Sequence, residues 1–263
     1  MTFDGKVAVV VGAGAGLGAT LVRRFVGAGA EVVAVARSAA SLSAATDAAR
    51  TAGGDVWTLS ADVTSPTQMR ELADQARERF DRVDVLVNLA FGVAPRREVL
   101  QMDDEDLEVW RRVVESGGFG TLLACRHLIP LMLGRESGSV VNVTSMSSRI
   151  AHAGRSEYAA GKAQAHKISQ SLAEELGPQG IRVNCVAPGH IWSEQLVDYY
   201  RSRAAELGES YETVVAGYTS EMALRRIVTA DEVANAVLFL ASDLASGITG
   251  AVIDVNAGQL FSP

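Results

Sequence analysis

Seven short apolar runs punctuate the chain, at Val7 to Val11, Glu31 to Arg37, Val56 to Ser60, Val83 to Leu89, Ser139 to Thr144, Ile181 to Val186 and Ala251 to Val255. Most are continuous rather than alternating with polar residues, as in strands buried on both faces. Between them, Ala19 to Ala28, Ser41 to Ala52, Pro66 to Phe80, Asp103 to Leu133, Ser156 to Pro178 and Asp231 to Ala241 place apolar residues every three or four positions, the period of a helix with one buried face. Strand alternating with helix predicts an α/β protein. Its sheet should be parallel and doubly wound by right-handed crossovers, with helices on both faces and ligands at the carboxyl ends of the strands. Residues 190–228 break the alternation with amphipathic stretches carrying Trp192, Tyr199, Tyr200, Tyr211 and Tyr218, and are read as a substrate lid. With no linker, repeat or break in composition over 263 residues, one dinucleotide-binding and catalytic domain spanning 1–263 is expected.

The first strand runs directly into Gly12-Ala-Gly-Ala-Gly16-Leu-Gly18, and a helix follows. Free backbone N–H groups at such a helix start, with no side chains in the way, suit a pyrophosphate. Gly12, Gly14, Gly16, Leu17 and Gly18 are therefore cofactor candidates, although a glycine loop alone is also compatible with a plain tight turn. The second strand ends at Ala36-Arg37-Ser38, without the carboxylate that would bind the adenosine ribose of NAD and repel a 2′-phosphate. Arg37 can pair with that phosphate, so NADP(H) is preferred over NAD(H). The plainer reading of Arg37 is a solvated loop residue.

Tyr158-Ala-Ala-Gly-Lys162 lies on a helical stretch, so Tyr158 and Lys162 share a face, where the ammonium is expected to lower the phenol's pKa. The chain holds only three lysines and five tyrosines, which makes this spacing less easily accidental. Ser145 ends a strand thirteen residues earlier, at the edge where Asp62 and Asn88-Leu-Ala-Phe91 also fall.

Taken in order, Gly12-x-x-x-Gly16-x-Gly18, Asp62, Asn88-x-Ala90, Ser145, Tyr158-x-x-x-Lys162, Asn184-x-x-x-Pro188-Gly189 and Ile248-Thr-Gly resemble the short-chain dehydrogenase/reductases over nearly the whole chain. The resemblance implies a single-domain Rossmann-like fold and hydride transfer between a nicotinamide cofactor and a secondary alcohol or ketone. It implies that Asp62 and Val63 contact the adenine, that Asn88 and Ala90 flank a ribose, and that Pro188, Gly189, Ile191 and Ser193 meet the nicotinamide end. Ser145, Tyr158 and Lys162 are the implied catalytic set. A homotetramer or dimer built on the helices of residues 108–133 and 156–177 is implied as well. Phe91, Met146, His152, Trp192, Leu196 and Tyr199 are candidates for an apolar substrate pocket. Three positions depart from the family pattern. Phe91 stands where a glycine is usual, Gly161 where a serine is usual, and Gly117 where an asparagine anchors a water relay behind the lysine. Gly117-Gly118 should bend its helix, and a water held by a freed carbonyl and Ser116 is expected to replace the missing amide.

Composition narrows the alternatives. A net charge of −7 with interspersed signs argues against a nucleic-acid surface. Cys125 and Cys185 lie in apolar runs, as buried thiols in a reducing compartment do. No signal-like N-terminal segment and no run long enough to span a bilayer is present, and a cytoplasmic location is expected. His127, His152, His166 and His190 have no metal-ligand spacing, and no Gly-x-Ser-x-Gly elbow supports a hydrolase. The remaining rival is a catalytically weak, cofactor-binding sensor or structural subunit of the same fold, which turnover dependent on Tyr158 would exclude.

Overall fold

The computed structural model describes residues 1–135 and 137–261. Seven parallel strands form one sheet in the order 3-2-1-4-5-6-7: β1 (Val7–Val11), β2 (Glu31–Ala36), β3 (Trp57–Ser60), β4 (Val85–Asn88), β5 (Gly138–Val143), β6 (Ile181–Pro188) and β7 (Val252–Val255). The order reverses between β3-β2-β1 and β4 onward, which opens a crevice at the carboxyl ends of β1 and β4. Strand ends differ from the sequence expectation by one or two residues, because ladder hydrogen bonds rather than hydrophobicity decide where pairing stops.

Successive side chains of a strand point to opposite faces, and the apolar runs feed two cores at once. Ala8 and Val10 pack with Leu21, Val22 and Phe25 of α1 (Leu17–Gly27), with α2 (Ala39–Thr51) and with α9 (Ala230–Ala241). Val7, Val9 and Val11 pack on the other face with Met69 and Leu72 of α3 (Pro66–Phe80) and with Leu123 and Leu128 of α5 (Gly120–Leu128). Ala173 of α6 (Ser156–Leu176) completes that layer. Below the sheet, the buried Asp84 carboxylate accepts from the Val7 N–H at 2.8 Å and from Arg82, pinning β1 beside β4.

The long helix expected from Asp103 to Leu133 is divided. α4 (Asp104–Val114) starts with a capping box between Asp103 and Asp106 and leads into a π-helical turn at Glu115–Phe119 before α5 begins. The bend expected at Gly117-Gly118 is this turn. Residues 190–228 contain α7 (Glu194–Leu207) and α8 (Tyr211–Ser220), capped by Ser193 and Ser210. Among the described residues no helix is long and apolar enough to cross a membrane.

Candidate active site

The glycine loop makes the floor of the crevice. Gly12 has φ +98°, and a β carbon there would lie 2.5 Å from the Ala90 nitrogen. A β carbon at Gly18 would lie 2.6 Å from the Gly12 carbonyl oxygen, so only glycine lets α1 begin this close to β1. A cleft of about 360 Å³ runs from this loop past Val35, Arg37 and Ser38 to Asp62, Val63, Ala90, Phe91, Gly92 and Ser116. Gly12, Gly14, Leu17 and Gly18 line it, and Gly16 sits at the α1 start with φ +78°. Backbone cradle, helix start and apolar walls together fit the adenosine and pyrophosphate of a dinucleotide.

Arg37 is 67% exposed at the cleft rim, with a guanidinium nitrogen 4.0 Å from Asp62. Asp62 is itself oriented by the Thr64 N–H and hydroxyl, which donate to it at 2.9 and 2.8 Å. Beside Arg37, Ser38 caps α2 by accepting the Ser41 N–H, and both serines line the cleft. Ser41 was not singled out from the sequence. Its signal is the Ser-x-x-Ser spacing at a helix start.

Asn88 does not reach the cleft with its side chain. It is buried, donating to Asn142 Oδ1 at 2.8 Å and to Cys125 Sγ at 3.4 Å, and Asn142 donates onward to Ser169 at 2.7 Å. This polar chain ties β4, β5 and α6 together beneath the site. Both cysteines are free and buried, which pushes the Cys125 thiol to about 12 and Cys185 to about 11 and keeps them inert.

Ser145, Tyr158 and Lys162 come together at the ends of β5 and α6. The Ser145 hydroxyl lies near the Tyr158 phenol, where it works to lower the phenol's pKa, and accepts the Ser147 N–H at 3.2 Å. Lys162 is buried, donates to the Val143 carbonyl at 2.8 Å, and lies 6.0 Å from the Tyr158 ring centre. The lowered phenol pKa expected from the sequence is not what this arrangement produces. Burial pushes Tyr158 up, outweighing the opposite effects of Ser145 and Arg155, because the ammonium is directed at a carbonyl rather than at the phenol oxygen. Burial also pulls Lys162 down to about 8. In the cofactor-free protein labelled at lysine Cε, one of the three lysine signals should therefore titrate near pH 8. The unfolded chain keeps that proton to about 10.4, so this group's contribution to folding stability should rise between those pH values.

The third departure from the family pattern has a physical occupant. The Phe91 ring stands between Gly117 and Gly161: a β carbon at Gly117 would lie 2.6 Å from Phe91 Cε2, and one at Gly161 3.1 Å from it. Water held by a freed carbonyl and Ser116 is therefore the wrong expectation. Ser116 accepts the Gly92 N–H at 2.8 Å and donates to Val113 O, while Thr121 donates to Gly117 O at 2.7 Å. Both carbonyls are bonded within the helix, and carbon fills the space.

The other candidates lie outside the cleft at the glycine loop. Met146 is buried in the turn after Ser145, His152 is exposed and Trp192 is 39% exposed. Leu196 and Tyr199 pack against the α1 side core. Tyr199 hydrogen-bonds Tyr218 at 2.8 Å, joining α7 to α8, and His190 bonds Tyr200 at 2.7 Å, joining β6 to α7. Pro188 ends β6, the N–H of the following Gly189 donates to Val255 O at 3.1 Å, and Ile191 pairs with Val228. Ser193 accepts the Leu196 N–H as the α7 cap. None of these lines the cleft at the glycine loop. Among the described residues no cluster of His, Cys, Asp or Glu could hold a metal.

A dinucleotide cleft at the switch point of a 3-2-1-4-5-6-7 sheet, beside a Ser-Tyr-Lys cluster, defines a class, and sequence comparison agrees with it. The family model described as enoyl-(acyl carrier protein) reductase matches residues 12–259. The chain belongs to the short-chain dehydrogenase/reductase family and is an NAD(P)-dependent oxidoreductase acting on CH–OH groups. It is 32% identical to the 3-oxoacyl-(acyl-carrier-protein) reductase of Escherichia coli K12 over 98% of this chain and 99% of that one. It is 31% identical to the 7alpha-hydroxysteroid dehydrogenase of the same organism, over 98% and 95%. Among solved structures, L-sorbose reductase from Gluconobacter frateurii, complexed with NADPH and L-sorbose, superposes with a TM-score of 0.89 at 26% identity, covering 100% and 99% of the two chains.

Proposed function

We propose that the protein transfers hydride between NADP(H) and a hydrophobic secondary alcohol or ketone, with Tyr158 as the acid–base group. The observation that carries this reading is the convergence of Ser145, just after β5, with Tyr158 and with buried Lys162 one turn further along α6, at the strand edge beside the glycine cradle. Gly12 to Gly18 would hold the pyrophosphate, Asp62 and Val63 the adenine, Ala90 a ribose, and Pro188, Gly189, Ile191 and Ser193 the nicotinamide end. When bound, the reduced cofactor supplies the hydride. Tyr158 gives its proton to the carbonyl oxygen, and Ser145 donates a hydrogen bond to the same oxygen as negative charge grows there. The Lys162 charge offsets that of the phenolate left behind. In the oxidative direction the phenolate takes the alcohol proton.

Relatives acting on an acyl thioester, a steroid and a sugar ketone leave the substrate class open. The candidates Phe91, Met146, Trp192, Leu196 and Tyr199 favour an apolar one, with residues 190–228 as its lid over one catalytic domain. Leu107, Phe119, Leu122 and Leu133 are exposed along α4 and α5 and just beyond them, which supports a dimer or tetramer joined there. Free, buried thiols suit a cytoplasmic setting. A screen of ketones and secondary alcohols with both cofactors tests the reading. No Tyr158-dependent turnover in that screen would replace it with the cofactor-binding sensor.

The preference for NADP(H) rests on Arg37 at the rim, with Ser38, Ser41 and the start of α2 beside it. Arg37→Ala should weaken NADPH about tenfold, or about 1.4 kcal/mol, and leave NADH unchanged. This is at the lower end for a charge-assisted pair because the guanidinium is mostly in water. Equal affinity of the parent protein for the two cofactors, measured by titration, would overturn the preference.

A further inference from the structure

Phe91, Gly117 and Gly161 lie far apart in the chain and meet at one point. The ring is inserted between the two glycines, and neither position has room for a β carbon without moving it. Its centre is 4.6 Å from Lys162 Nζ and 4.8 Å from the Tyr158 ring centre, with the two rings inclined at 76°. Lys162 has no ion pair among the described residues, and its one hydrogen bond there is to the Val143 carbonyl. A buried ammonium with so few partners is drawn to the negative face of an aromatic ring.

We propose that Phe91 is a positioning residue for the reaction. Its ring face seats the Lys162 ammonium, its contact with Tyr158 fixes the phenol, and Gly117 and Gly161 are small in order to admit it. A filler of the same volume would occupy the hole but would offer the ammonium nothing. The claim is therefore about the ring's charge distribution and not its size. It rests on the catalytic roles proposed above for Lys162 and Tyr158, and one of its tests does not.

The other groups facing Lys162 leave its environment simple. Tyr158 lies one turn back on α6, and Cys185 faces it from β6. β5 presents the Val143 carbonyl, and Arg149, beyond Ser145, is paired with Asp254. No charged side chain of the π turn or of the adjoining end of α4 is buried, and Glu115 pairs with Arg111 at 3.5 Å.

The experiment uses the full chain with Lys6→Arg and Lys167→Arg, which leaves Lys162 as its only lysine for a Cε label. 4-Fluoro-, 3,5-difluoro- and 3,4,5-trifluorophenylalanine are placed at position 91 by codon suppression, drawing charge from the ring face while nearly keeping its shape. Without cofactor, the Lys162 titration should move to lower pH in step with fluorination, by roughly 0.5 to 1 pH unit over the series. The turnover number should fall in the same order, about three- to tenfold, while the KM for cofactor changes less. An unchanged Lys162 titration across the series would overturn the proposal and leave Phe91 as a space filler. Should the trifluoro protein fail to fold, the 4-fluoro and difluoro proteins decide by the same criterion. If the titration shifts but no carbonyl is reduced, the catalytic reading has failed and the seating of Lys162 stands.

Discussion

Tyr158→Phe should lower turnover by at least about a hundredfold while leaving cofactor affinity within about twofold of the parent. Positioned acid–base catalysis contributes on that scale, and the neighbouring Lys162 ammonium is held on the Val143 carbonyl at 2.8 Å. The variant removes one oxygen and keeps the ring, whose contact with Phe91 at 4.8 Å between centres should hold the helix start in place. Ser145 would keep the Ser147 N–H that it accepts at 3.2 Å. Single-turnover hydride transfer and a cofactor titration, run on the same preparation, separate the two effects. Turnover above about a tenth of the parent's would show that the proton comes from another group, and the role assigned to Tyr158 would fall.

Gly117→Asn is expected to damage the protein, although restoring the asparagine usual in the family suggests a gain. Its β carbon alone would lie 2.6 Å from Phe91 Cε2 and 3.2 Å from Gly161 Cα, before the amide is placed. Overpacking of this kind costs about 1 to 3 kcal/mol and should lower the apparent melting temperature by roughly 5 °C. Because the ring must leave Lys162 to make room, turnover should fall by more than about tenfold. The second change Phe91→Ala should recover much of the lost stability, with a coupling of at least about 1 kcal/mol between the two sites. A Gly117→Asn protein that melts like the parent and turns over faster would mean that the ring is not fixed where it stands.

The order of elements was legible in the sequence because each strand is buried on both faces and therefore reads as an apolar run, as Val7 to Val11 does. The π turn was legible too, since paired glycines have no side chains to resist the extra residue. What fills a vacant position was not legible. Phe91 and Gly117 stand twenty-six positions apart, and only the packing of β4's exit against the bulged helix brings them together. Asn88 carries the family spacing, yet its side chain turns into the sheet toward Asn142, a choice made by tertiary contacts that local pattern does not record. The state of Tyr158 was misjudged for a similar reason. Four-residue spacing places Lys162 on the right face of the helix but does not show that its ammonium bonds the Val143 carbonyl.

The π turn at Glu115–Phe119 also ties the chain's length to its core. Such a turn accommodates one more residue than an α-helix needs for the same climb, and so behaves as a single-residue insertion absorbed on the spot. Each residue of an α-helix advances the side-chain direction by about 100°. Deleting Gly118 should let the segment close into an uninterrupted helix in which Leu123, Cys125 and Leu128, now buried, keep nearly their present direction relative to α4, because the turn already absorbs the extra residue without changing the helix phase beyond it. α4 and α5 can then both keep their present partners in a chain one residue shorter, whereas a deletion inside the regular turns of α5 would rotate everything beyond it by about 100°. At this point a deletion should be tolerated better than elsewhere in the helix, because it need not force a choice between the face that carries Val113 and the face that fills the core.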